Sequence, residues 1–128
     1  LKILRREFMR ILKCHCGKVE AEINIQGDLK KILRCNCSLC KRRGSIMSMV
    51  ENKDFKIIKG EDYLKLYQFY TKVAKHYFCK NCGIYTHHNP RSNPKMTGFN
   101  LGCIDTIDTF GLDDIIINDG LNHPLDKK

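Results

Sequence analysis

The sequence predicts a mostly β domain, antiparallel in its pairing and built around one core. Three observations lead there. At 128 residues the chain has the length of one ordinary domain and little room for two. Val19, Ala21, Ile23 and Ile25 alternate with Lys18, Glu20, Glu22 and Asn24, the period-2 pattern of a half-buried strand. No amphipathic run exceeds two helical turns, so helices cannot supply the layers of the fold.

The elements follow in order. Residues 10–14 and 18–25 form a hairpin whose turn is Cys14-His15-Cys16-Gly17, and Gly27-Asp28 ends it. Ile32 to Cys35 is a short strand, and Ser38 to Arg43 is one helical turn or a tight loop. Residues 45–50, 55–59 and 63–70 are apolar and aromatic strands, with Gly60-Glu61-Asp62 as a turn between the last two. Residues 75–79 and 84–88 flank a second tight turn, Cys79-Lys80-Asn81-Cys82-Gly83. Residues 97–104 and 114–118 complete the set. The folded domain is expected over residues 10–126. The run from Leu1 to Val19, with six Lys/Arg and one acid, loosely resembles a targeting segment, and residues 1–9 are expected to be an N-terminal extension.

Composition removes several classes of function. No apolar run approaches the roughly 20 residues of a membrane helix, so no membrane role is expected. There is no internal repeat and no Gly/Ser- or Pro-rich tract, which argues against a solenoid or a disordered chain. The 23 basic and 14 acidic residues leave a net charge of +9. That excess is uneven: residues 1–50 carry 12 basic and 4 acidic residues, whereas residues 96–128 carry 2 and 6. Even so, the basic residues are scattered rather than gathered in a block, which argues against a strong nucleic-acid interface.

The eight cysteines carry the chemistry. They cluster as Cys14 and Cys16, then Cys35, Cys37 and Cys40, then Cys79 and Cys82, with Cys103 alone. Bridging cysteines tend to be spread so that they close loops. Cysteines one or two residues apart converge their sulfurs on one point, as a metal site requires. No secretory signal is visible, and with thiols used this way the expected setting is a reducing, cytoplasmic one. Cys14-x-Cys16-Gly17 and Cys79-x-x-Cys82-Gly83 are two zinc knuckles, each with a glycine just after the second ligand where positive φ is needed. Together they offer four thiolates, the set for a closed tetrahedral zinc.

Cys35-Asn36-Cys37-Ser38-Leu39-Cys40 places three thiols within six residues. Three sulfurs on one loop fill three corners of a tetrahedron. The fourth corner goes to a substrate, to water, or to a distant residue such as Cys103, His15, His76, His87 or His88. An open site is the preferred reading, because the cysteines then divide into four, three and one free. Lys41, Arg42 and Arg43 follow at once and are expected to hold an anionic ligand beside this metal. A solvated charged loop is the plainer use of such a run. For the histidines, hydrogen bonding in the core is the plainer role, and for Tyr63, Tyr67, Phe69, Tyr70, Tyr77 and Phe78 it is core packing.

In order, Cys14-His15-Cys16-Gly17, Cys35-Asn36-Cys37-Ser38-x-Cys40 with Gly44, Phe78-Cys79-x-x-Cys82-Gly83 and Asn100-Leu101-Gly102-Cys103-Ile104-Asp105 resemble the glutathione-dependent formaldehyde-activating enzyme family. That family includes centromere protein V-like proteins. Gly60-Glu61-Asp62, His87-His88 and the segment Asp119 to Pro124 resemble it too. The resemblance implies a β-tent fold with two zinc ions per chain. Cys14, Cys16, Cys79 and Cys82 would hold a structural ion, and Cys35, Cys37 and Cys40 a catalytic one. It implies a carbon–sulfur lyase, or synthase, acting on a thiol and an aldehyde: glutathione as co-substrate adds to formaldehyde to give S-hydroxymethylglutathione. The alternative is a non-catalytic two-zinc module engaging nucleic acid, chromatin or a protein partner.

Overall fold

The computed structural model describes residues 9–27, 29 and 31–122. Residues 1–8 of the expected extension and residues 123–126 of the expected domain lie outside them, and Met9 opens the first strand. The described residues form ten strands and one short α-helix: β1 (Met9–Lys13), β2 (Glu20–Asn24), β3 (Leu33–Cys35), α1 (Ser38–Arg43), β4 (Met47–Glu51), β5 (Phe55–Lys59), β6 (Leu64–Tyr67), β7 (Lys75–Cys79), β8 (Tyr85–Asn89), β9 (Met96–Asn100) and β10 (Ile116–Asn118). The mostly β expectation holds. Residues 101–104, read as a continuation of β9, instead open with a 3₁₀ turn, Leu101–Cys103. There the Asn100 side chain accepts from the Gly102 amide and competes with the sheet for the backbone.

The strands form two sheets. The smaller has the order β1-β2-β5, and the larger β10-β3-β4-β9-β8-β7-β6. All pairs are antiparallel except β10 with β3, so the large sheet is mixed rather than wholly antiparallel. β10 comes last in the chain and reaches β3 across the sheet edge. No short turn could have dictated its direction.

Residues of β2 alternate as their period-2 pattern requires: Ala21 and Ile23 are fully buried, as is the preceding Val19. Ala21 and Ile23 meet Leu12, Phe99, Leu101, Cys103 and Ile104 in the main apolar cluster. Two smaller clusters surround sulfur. One holds Cys37, Cys40, Met47 and Tyr85, and the other Cys14, Val19 and Cys79. β8 is buried from Tyr85 to His88, so its polar side chains need partners inside the protein. Thr86 Oγ1 donates to the Tyr77 carbonyl, and the Tyr85 hydroxyl bonds His88 Nδ1. Of the aromatics read as core, Tyr63, Phe69, Tyr77 and Phe78 are half-buried, whereas Tyr67 and Tyr70 are about half exposed; Tyr67 is on β6, the outer strand of the sheet. Among the described residues no helix is long and apolar enough to cross a membrane.

Candidate metal centres

The β1–β2 turn and the β7–β8 turn bring Cys14, Cys16, Cys79 and Cys82 together, with all four sulfurs within 4.8 Å of one another. Each turn closes locally. The Gly17 amide donates to the Cys14 carbonyl and the Gly83 amide to the Cys79 carbonyl. Both glycines have φ near +78° (79° and 77°), the left-handed geometry that a side chain disfavours. Cys16 Sγ lies 3.6 Å from Cys14 Sγ and 3.7 Å from Cys79 Sγ. Tetrahedral zinc with Zn–S near 2.3 Å needs sulfurs roughly 3.8 Å apart, so the donor set fits the ion. The Asn81 side chain, with the Lys18 amide, lowers Cys16 to about 6, whereas burial pushes Cys79 up to about 11. Lys18 and Lys80 both stand over the Tyr63 ring, which packs against this group, and so place positive charge near the thiolates.

The second group is Cys35, Cys37 and Cys40, again within 4.8 Å. Cys35 ends β3, and Cys37 caps α1, its Sγ accepting from the Cys40 amide at 3.3 Å. Cys37, Cys40 and Arg43 follow at intervals of three residues, so all three share one face of the helix. Gly44 ends it with φ +64°, its amide bonded to the Cys40 carbonyl. Three adjacent sulfurs cannot all ionise unaided. Hydrogen bonds from Cys37 and Cys40 hold Cys35 far below the ordinary thiol range, while the partnership with Cys35 pushes Cys40 far above it. A divalent cation would take the place of those shared protons.

The C-terminal segment folds over this group. Asn118 Nδ2 donates to Cys35 Sγ at 3.5 Å, the Asn36 amide donates to the Asn118 carbonyl, and the Leu121 amide donates to Asn36 Oδ1. A Cβ on Gly120 would overlap Cys35 Sγ and stand 3.0 Å from Cys37 Cβ, so only glycine lets the segment approach this closely.

The three basic residues after Cys40 are not brought together. Lys41 is exposed, and Arg42 is exposed and donates to the Ser38 carbonyl. Arg43 turns inward. Its guanidinium donates to Cys40 Sγ at 3.3 Å, meets His76 Nδ1 at 3.2 Å and lies 3.7 Å over the Tyr85 ring. Helical periodicity explains the split: residues 41 and 42 lie off the face shared by 37, 40 and 43.

A cavity of about 330 Å³ opens onto the three sulfurs. His76 and His88 stack at 5.5 Å in its wall. Burial lowers His76 to about 4 and His88 to about 3, so both are neutral at pH 7 and poor proton acceptors there. His87 does not line this cavity. It sits against the Tyr77 and Phe55 rings, each at 4.6 Å. His15 is exposed. Cys103 belongs to neither sulfur group; it is buried in the main apolar cluster with its thiol on the Tyr85 carbonyl, and burial raises it to about 12. Lys31 and Arg91 line the cavity together with the sulfurs. Neither was singled out by sequence reasoning: Arg91 lies beyond the second turn, and Lys31, although it precedes Cys35 by only four residues, stands in no spacing that marks a ligand or an anion site. The inward turn of Arg43, by contrast, was recoverable from the i, i+3 spacing.

The profile of the family described as glutathione-dependent formaldehyde-activating enzyme matches residues 9–115. A crystal structure of a Rhodobacter sphaeroides protein is 40% identical and superposes with a TM-score of 0.80, covering 84% of this chain and 99% of that one.

Proposed function

Since the chain belongs to the glutathione-dependent formaldehyde-activating enzyme family, we propose that it is a carbon–sulfur lyase, or synthase, that interconverts glutathione plus formaldehyde with S-hydroxymethylglutathione. The observation that carries this reading is the contrast between the two sulfur groups. Four sulfurs complete one tetrahedron. At the other, among the described residues, only three gather, and they face a cavity large enough for a small molecule. We assign two zinc ions per chain, a structural one to Cys14, Cys16, Cys79 and Cys82 and a catalytic one to Cys35, Cys37 and Cys40. Zinc on three thiolates would supply an open position that takes a thiol as thiolate.

The chain's own residues do the rest. Arg43 offsets the charge of the sulfurs. Lys31 and Arg91 present positive charge to a thiol that carries two carboxylates, while among the described residues no acidic side chain lines the cavity. The neutral His76 and His88 add no competing charge. In the reaction the sulfur forms a bond to the carbonyl carbon, the C=O π pair moves to oxygen, and the thiol proton ends there. The two-sheet arrangement is read as the β-tent of the family resemblance. A reducing compartment such as the cytoplasm suits a chain whose eight cysteines are all unbridged.

The test is the rate at which glutathione and formaldehyde exchange with their adduct, followed by exchange NMR with and without zinc-loaded protein. Acceleration by the wild type but not by Cys40→Ala is the expected result. A rate equal to the protein-free rate removes the enzyme reading. A parallel titration with duplex DNA at two salt concentrations then tests the binding-module alternative.

A further inference from the structure

Formaldehyde is a one-carbon electrophile and needs no apolar pocket. The cavity over the three sulfurs nevertheless has apolar walls. Leu33 of β3, Met47 and Met49 of β4, Phe69, Ala74 and Ile116 of β10 all line it. Met47 is fully buried, and Phe69 is fixed by stacking on His76 at 5.7 Å. Its charged lining residues are Lys31 and Arg91, both cationic. Its volume of about 330 Å³ lies at the small end of the range for sites that enclose a whole organic ligand, about 300–1,000 Å³. Glutathione, a tripeptide with charged ends, leaves these apolar walls unmatched. An apolar group placed there would be drawn from water by the hydrophobic effect. Methionine walls add tolerance, because their unbranched side chains adapt to differing shapes.

We propose that the preferred electrophile of this site is an aldehyde bearing an apolar chain of several carbons, with that chain lying against Leu33, Met47, Met49 and Phe69. This rests on the functional reading above and extends it to substrate class. The step is balanced without any further reactant. The thiol sulfur bonds to the aldehyde carbon, the C=O π pair goes to oxygen, and the thiol proton follows, giving a hemithioacetal. The reverse releases the same aldehyde and thiol.

Affinity and rate are read separately. Zinc-loaded protein is titrated calorimetrically with S-methyl-, S-propyl- and S-hexylglutathione, which carry the chain on sulfur but cannot react. Affinity should rise about threefold to fourfold per added methylene until the cavity fills. In Ala74→Leu, on the loop before β7, the same series normalised to its own S-methyl value should be flatter. Exchange NMR with formaldehyde and with hexanal gives the rates, and the wild type should accelerate the hexanal reaction more. A flat chain-length series with formaldehyde still accelerated overturns this proposal and leaves the function reading standing. A steep series that Ala74→Leu does not change places the chain elsewhere and also overturns it. A steep series without acceleration of either aldehyde overturns the function reading, and the substrate claim falls with it.

Discussion

Replacing Arg43 by Gln should weaken zinc binding at Cys35, Cys37 and Cys40 and leave the four-cysteine site alone. The guanidinium donates to Cys40 Sγ at 3.3 Å. Two unit charges at that distance attract by about 5 kcal/mol at the effective dielectric of 20 that suits protein sites. Part of this is lost to desolvation of the guanidinium, and charge-assisted hydrogen bonds contribute about 1.5–3 kcal/mol net. The contacts of Arg43 with His76 and the Tyr85 ring do not involve the sulfurs, so they bear on fold stability rather than on zinc affinity. At about 1.4 kcal/mol per tenfold, the zinc dissociation constant should rise between about 10-fold and 150-fold. Arg43→Lys restores a charge without the planar fork and should recover only part of the loss. Competition with a chromophoric chelator would resolve two classes of zinc per chain. The four-cysteine class is the internal control, since Arg43 has no hydrogen bond to its sulfurs. Equal affinity in wild type and Arg43→Gln would refute the claim that this charge balances the thiolates.

Four further outcomes are expected. Gly120→Ala should lose one of two zinc equivalents by elemental analysis, since its Cβ overlaps Cys35 Sγ; two retained equivalents would show that the segment moves aside freely. Cys103→Ala should keep both equivalents and lose about 1 kcal/mol of stability by urea titration, and a missing equivalent would make Cys103 a ligand. Cys82→Ser should unfold the domain or make it insoluble, whereas Cys40→Ala should keep its strand signal in circular dichroism; equal damage from the two would dissolve the structural–catalytic distinction. His87, held near 4 by burial, is below its ordinary value of 6.5, so unfolding takes up its proton between pH 6.5 and 4 and stability falls as pH drops through that window, by about 3 kcal/mol. His87→Phe keeps the stack on Phe55 and Tyr77 and should lose correspondingly less stability there, and parallel stability–pH curves would contradict this.

What the sequence disclosed follows from how local each feature is. β5 and β7 occupy the expected residues 55–59 and 75–79, because their signals lie within the strands themselves. The gathering of the sulfurs was equally legible: each tight turn brings its sulfurs together within three or four residues, and pairing the two turns needed only the count of four. The cavity was not legible. Met49 and Ile116 share its wall because the strand order places β10, β3 and β4 side by side, and Phe69 and Arg91 reach it from the β6–β7 and β8–β9 loops. Nor could spacing reveal that Asn118 and Gly120 seal Cys35 from 83 and 85 residues away. Arg43 is intermediate: the helical interval from Cys40 was present, but the run Lys-Arg-Arg invited a reading by charge instead of by face.

The two sulfur groups also bear on why the domain folds at all. Among the described residues few large side chains are fully buried, and the main apolar cluster draws on β1, β2 and β9. The other two clusters are built around Cys37 and Cys40 and around Cys14 and Cys79, where thiols occupy positions that aliphatic side chains would otherwise fill. On the proposed assignment, zinc at those points would substitute for core, as it does in small domains with too little apolar surface. The contributions differ by topology. The four-cysteine group brings Cys16 to Cys79 across 63 residues, setting the β1–β2 hairpin of the small sheet against the β7–β8 hairpin of the large one. The three cysteines lie within one short stretch, so a metal there constrains little chain and contributes little loop-closure entropy. A site that contributes little to stability can leave a coordination position unfilled at small cost to the fold. The proposed assignment of the open position to Cys35, Cys37 and Cys40, and of the closed one to the junction between the sheets, accords with that difference.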